Sequence, residues 1–94
     1  MMQSMNNKVT VTPGVSASYH DEGVAILNIS TGRLFVSNCT GAQIWRGLET
    51  EQPLETILDR ICESYQVDRE LARKHLEAFV SELRRKALVR AERQ

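Results

Sequence analysis

The chain has 94 residues, 41% hydrophobic and 26% charged, which supports one small globular core and no second domain. Twelve basic residues balance twelve acidic ones, so no global field draws the protein toward nucleic acid or an anionic bilayer, and any partner is recognised through local surface. The polar start has no apolar h-region, and no apolar run approaches the roughly 20 residues that span a bilayer, so the expectation is a soluble, cytoplasmic protein.

In chain order, Val9 and Val11 alternate with Thr10 and Thr12 ahead of Pro13-Gly14, a pattern that suits a short strand or an ordered arm. Residues 1–12 are assigned to a flexible N-terminal arm, 13–90 to the single domain and 91–94 to a frayed C-terminus. Three strands are expected at 15–20, 24–29 and 33–37. They are separated by the turn-type clusters His20-Asp21-Glu22-Gly23 and Ser30-Thr31-Gly32. This is an antiparallel meander whose middle strand is apolar almost throughout and whose third strand is an edge.

Thr40 and Gln43, three apart, match a capping box that opens a short helix carrying Ile44, Trp45 and Leu48. Trp45, the only tryptophan, is expected to pack that helix onto the core. Pro53 begins a second helix with one apolar stripe: Leu54, Ile57, Leu58, Ile61, Cys62 and Tyr65. Asp68 caps a third and longest helix, striped by Ala72, His75 or Leu76, Phe79, Leu83 and Ala87. The expected fold class is therefore α+β: a winged helix-turn-helix with an N-terminal three-stranded antiparallel sheet followed by three helices. Two cysteines, Cys39 and Cys62, are too few for a disulfide framework and lack metal-ligand spacing, so both are read as reduced, half-buried thiols. No metal site and no cofactor are expected.

Four features stand in a fixed order: Asp21-Glu22-Gly23 before an apolar strand, Thr31-Gly32 before Leu34-Phe35, Asn38-Cys39-Thr40-Gly41-Ala42-Gln43-Ile44-Trp45, and Tyr65-Gln66-Val67-Asp68. Together they resemble the PqqD-like family, the leader-recognition elements of ribosomally made, post-translationally modified peptides. Within it the chain looks most like the stand-alone leader-binding proteins of lasso-peptide biosynthesis. Two positions depart from the family pattern: Ser37, where a large apolar residue is usual, and Pro53, where a Thr cap is common.

The resemblance implies β-augmentation, in which an extended leader adds as a strand to the third strand and lies against the third helix. The binding residues it implies are Arg33, Leu34, Phe35, Val36 and Ser37 on the strand, and Leu71, Lys74, His75, Ala78 and Glu82 on the helix. On that pattern Phe35 points inward while Leu34 and Val36 line the groove. Ordinary sheet and solvated-helix roles are the competing readings for the same residues. The partners implied are the leader segment of a precursor peptide, a leader-cleaving protease and a cyclase. No nucleic-acid or membrane partner is expected, and the chain is read as a monomer or weak edge-strand dimer. A peptide chaperone for a radical enzyme in quinone-cofactor biosynthesis is the nearest alternative.

A DNA-binding regulator fits the topology, but Asp68, Glu70, Glu77 and Glu82 on the third helix and Glu55, Asp59 and Glu63 on the second oppose a phosphate backbone. An enzyme is not expected, because paired catalytic groups and a Gly-rich phosphate loop are both missing. The basic cluster Arg84, Arg85, Lys86, Arg90 and Arg93 has a sufficient structural reason in the dipole of the helix end.

Overall fold

The computed structural model describes residues 8–92, and the chain order is β1 (Lys8–Val11), β2 (Val15–His20), β3 (Gly23–Asn28), β4 (Arg33–Ser37), α1 (Cys39–Glu49), α2 (Leu54–Tyr65), α3 (Arg69–Arg85) and β5 (Val89–Glu92). Turn chemistry sets the first sheet. Gly32, at φ 74°, closes the β3–β4 turn in a left-handed conformation that L-residues rarely adopt. The resulting antiparallel meander has the order β2-β3-β4, so β4 is an edge. Its strands lie within a residue of the expected ones, and the α+β class stands.

Period-two alternation divides this sheet into two faces. Val24, Ile26 and Asn28 of β3 are buried against the helices, with Val15, Ala17, Tyr19 and Phe35 partly buried on the same side. Asn28 is the one buried polar residue among those described. Its Nδ2 donates to the Ala87 carbonyl at 3.2 Å, and its Oδ1 accepts from the Thr31 amide at 3.2 Å, so the β3–β4 turn is pinned to the end of α3.

Trp45, Leu48, Ile57, Leu58, Leu76 and Leu83 fill the centre of the helical layer, and Trp45 is fully buried with its Nε1 donating to Glu49 at 2.9 Å. Gly47 lets α1 approach α2, since a Cβ there would stand 2.7 Å from Ile57 Cγ1. The α2–α3 connection is only Gln66–Asp68, and Arg69 clamps it by reaching back to Glu55 at 2.9 Å and Asp59 at 2.7 Å on α2.

Several local expectations are corrected. The first helix is capped by Asn38, whose side chain accepts from the Gly41 amide, and not by the Thr40–Gln43 box; Gln43 instead donates to Ser64 Oγ. Asn38 competes better because it already sits in the extended conformation that an N-cap requires. Asp68 caps α3 as expected, accepting from the Leu71 amide. Ala87 is exposed and lies past the helix, at φ 62° in the first residue beyond the C-cap Lys86. Leu88 and Ala87 donate to the Leu83 and Arg84 carbonyls there, which is a Schellman closure. Cys39 is exposed, its thiol donating to the Asp21 carbonyl, while Cys62 is partly buried.

The assignment of residues 1–12 to an arm and 91–94 to a frayed end divides a second sheet. β1 pairs antiparallel with β5 from Lys8↔Glu92 to Val11↔Val89, and Val9 and Val89 join the core. Residues 1–7 and 93–94, Arg93 of the basic cluster among them, lie outside the described residues.

Candidate functional site

The free edge of β4 is defined by the phase of its ladder. The Ile29 amide donates to the Gly14 carbonyl at 3.0 Å, so Gly23, Ala25, Leu27 and Ile29 direct their backbone groups toward β2 and its approach. Val24, Ile26 and Asn28 then serve β4, where their partners are Ser37, Phe35 and Arg33. By the same alternation, Leu34 and Val36 turn their amides and carbonyls away from β3, into the unoccupied edge. Two donors and two acceptors thus project from the strand centre at the spacing that an added strand would meet.

The side chains alternate in the opposite sense. Phe35 points inward and meets Phe79 of α3 edge to face, with ring centroids 5.8 Å apart. Leu34 and Val36 stand on the outer face of the sheet, 63% and 67% exposed. The helix-facing side of the edge is therefore formed by Phe35 and Ser37, whereas the expected groove-lining pair sits on the opposite side. Arg33 is exposed at the start of the strand.

Gly41 packs directly against Ser37. A Cβ on Gly41 would lie 2.1 Å from Ser37 Oγ, 2.6 Å from Ser37 Cβ and 3.1 Å from Phe79 Cε1. The first turn of α1 therefore packs beneath the end of β4 only because residue 41 has no side chain.

On α3, Leu71, Lys74, His75, Ala78 and Glu82 follow the helical repeat and share one stripe beside the buried one. Leu71, Lys74, His75 and Ala78 are exposed, and the Phe35–Phe79 contact brings the middle of this stripe to the inner side of β4. Glu82 is half-buried and already engaged by Arg85 and by Lys86, the latter at 3.6 Å. The Arg85 hydrogen bond holds its carboxyl below the usual carboxylate range.

Toward the N-terminal end of α3, Leu71 and His75 open onto an apolar cavity of about 240 Å³ between α1, α2 and α3, lined also by Ile44, Ile61, Tyr65 and Val67. Tyr65 and Val67 are exposed there. Tyr65 thus leaves the buried stripe expected of α2 and lines this cavity instead, and its signal in the sequence is an apolar Tyr-x-Val pair continuing past the end of a helix. Elsewhere, Tyr19 donates to Glu49 at 2.7 Å under the guanidinium of Arg46, which ties β2 to α1 at a distance from the free edge.

Among the described residues no helix is long and apolar enough to cross a membrane, and no three His, Cys, Asp or Glu side chains gather as a metal-binding group.

Residues 23–89 match the family described as coenzyme PQQ synthesis protein D (PqqD). No curated protein matches. Two solved structures are similar. TbiB1 in complex with the TbiA(beta) leader peptide is 30% identical, covers 90% of this chain and 99% of its own, and superposes with a TM-score of 0.83. Lasso peptide synthetase B1 complexed with the leader peptide is 22% identical, covers 88% and 98% of the two chains, and gives a TM-score of 0.79, a likeness of fold.

Proposed function

The chain belongs to the PqqD family, and from that premise we propose that it is a non-catalytic module which captures the leader segment of a ribosomal precursor peptide by strand addition to β4. The carrying observation is the pair Leu34 and Val36, whose backbone groups face the open edge beside the exposed stripe of α3. The 30% identical TbiB1 is a leader-peptide complex, which supports the same occupant here. Arg33, Leu34, Phe35, Val36 and Ser37 form the strand side of the proposed site, and Leu71, Lys74, His75, Ala78 and Glu82 the helix side.

The captured peptide is presented to a leader-cleaving protease and a ring-forming enzyme of the lasso-peptide type. Tethering raises the local concentration of the precursor at those enzymes without any chemistry by this chain. The proposed domain spans the chain from β1 to β5. Its charge arrangement supports a peptide over a nucleic acid, because Arg69 and Arg73 at the start of α3 are already spent on Glu55 and Asp59 of α2.

The test uses fluorescence anisotropy with a labelled synthetic leader from the neighbouring precursor gene. Wild type is expected to bind with a dissociation constant between about 10 nM and about 10 μM. Val36→Pro removes an outward amide and no β3 ladder bond, so the variant keeps its circular dichroism spectrum yet loses at least about 10-fold in affinity. Phe35→Pro, one residue away, removes an inward amide and breaks the sheet. A folded Val36→Pro variant that binds as tightly as wild type refutes strand addition at this edge.

A further inference from the structure

On a side of the helical layer to which neither β4 nor α3 contributes, α1 and α2 enclose a second recess of about 220 Å³, walled by Gln43, Arg46, Thr50, Gln52, Ile57 and Arg60. No carboxylate lines it, although two guanidinium-bearing residues do. The ion pairs among the described residues use Arg69, Arg73, Arg85 and Lys86 as their cations, so Arg46 and Arg60 are left without an acidic partner there. Arg46 is nonetheless held in place, its guanidinium carbon 4.2 Å from the centre of the Tyr19 ring.

The recess also holds an acceptor in want of a donor. Gln52 Oε1 is buried and has no hydrogen-bond partner among the described residues. The other polar groups of the wall are engaged: Gln43 donates to Ser64 Oγ at 3.3 Å, and the Thr50 hydroxyl donates to the carbonyls of Arg46 and Gly47, 3.0 and 3.1 Å away. The open carbonyls at the end of a helix would ordinarily repel an anion. Here those of Arg46, Gly47 and Leu48 accept from the amides of Thr50, Gln52 and Glu51, which leaves the two arginines to set the sign of the field.

Two cations and one buried acceptor call for a ligand that brings a carboxylate and an N–H together. We propose that the recess receives one acidic residue of a partner protein's peptide segment, its carboxylate between Arg46 and Arg60 and a main-chain amide donating to Gln52 Oε1.

Size and charge select this occupant. At about 220 Å³ the recess is smaller than the roughly 300–1,000 Å³ of a small-molecule or cofactor site, and it suits a side chain. Two cations are too few to track a nucleic acid, where about 6–10 phosphates are contacted. Because β4 and α3 take no part in the wall, the partner and a leader strand are held at the same time. On the reading of the chain as a leader-binding module, that partner is one of the enzymes receiving the leader; the recess itself stands independently of leader capture.

The probe is N-acetyl-glutamate N-methylamide, titrated into isotope-labelled protein and followed by amide chemical shifts, with sodium acetate and inorganic phosphate as reference ligands. The expected result is saturable shifts confined to residues 43–52 and 57–60, with a dissociation constant of about 1–10 mM, at least fivefold tighter than either reference ligand. Arg60→Gln should weaken the probe at least fivefold while leader affinity, measured by anisotropy, stays within twofold of wild type. Gln52→Met removes the orphan acceptor and should weaken the probe at least threefold without lowering the urea midpoint. Scattered or non-saturating shifts overturn the proposal, as does phosphate binding as tightly as the probe. So does a Gln52→Met variant that loses stability and keeps its affinity, the signature of an acceptor satisfied by water, or a wild-type dimer in sedimentation velocity that Arg60→Gln dissolves. Failure of the wild type to bind leader refutes strand addition at β4 instead, and leaves the recess to be decided by the probe.

Discussion

Replacing Gly41 by alanine probes the most crowded point beneath the proposed peptide edge. The new methyl would stand 2.6 Å from Ser37 Cβ and 3.1 Å from Phe79 Cε1, against an ordinary contact of at least 3.4 Å. The Ser37 hydroxyl, at 2.1 Å, can rotate away, but its Cβ cannot, so β4 or α1 must shift by about 1 Å. Overpacking of this kind costs about 1–3 kcal/mol, and alanine in a helix returns at most about 1 kcal/mol relative to glycine. The net expectation is destabilisation by about 1–2 kcal/mol, read as a lower urea midpoint at unchanged m-value. Removing the obstructing atoms as well, with Gly41→Ala/Ser37→Gly, should recover much of the loss, leaving a coupling of about 1 kcal/mol between the two sites. Because the shift moves the end of β4 relative to Phe79, leader affinity should fall in the single variant and return in the double. A Gly41→Ala variant as stable as wild type, or two substitutions that simply add, refutes the packing argument.

Two further measurements follow from individual residues. Ala87 occupies the left-handed position of the Schellman closure, where a Cβ is unfavourable, so Ala87→Gly should raise stability by about 0.5–1 kcal/mol in urea denaturation. The Tyr19 phenol is pushed above its usual value of 10.0, first by burial and then by the hydrogen bond and charge of Glu49. Its folded value exceeds its unfolded one, so the associated stability is intact below about pH 10 and is lost as pH rises through the folded value. Ultraviolet titration should show Tyr19 ionising later than a free phenol, and earlier in Glu49→Gln than in wild type.

The meander and all three helices were legible because each is written in local chemistry: turn clusters at 20–23 and 30–32, Asp68 as a cap, and apolar stripes on α2 and α3. The β1–β5 pairing was not, since it joins segments some 80 positions apart and each alone is only four residues of alternation. The same limit applies to the site. That β4 is an edge follows from strand order, but which of its amides face outward depends on one long-range bond, Ile29 to Gly14, that no periodicity reports. Alternation left either Phe35 with Ser37 or Leu34 with Val36 as the inward pair, and it was the family resemblance that implied an inward Phe35; the reason residue 41 is a glycine lies on another element, at Ser37.

The pairing of β1 with β5 also bears on how the module could be built into a larger protein. Backbones of antiparallel neighbours run about 5 Å apart, so the points where the domain is entered and left are nearly the same point in space. A short bridge between them would turn the domain into a closed ring that could be cut elsewhere, for instance at the exposed Thr50-Glu51 bend. Equally, a host enzyme could accept the whole domain within a surface loop with little displacement of the loop's two stems. The peptide edge would remain intact in either format, because β4 lies in the other sheet.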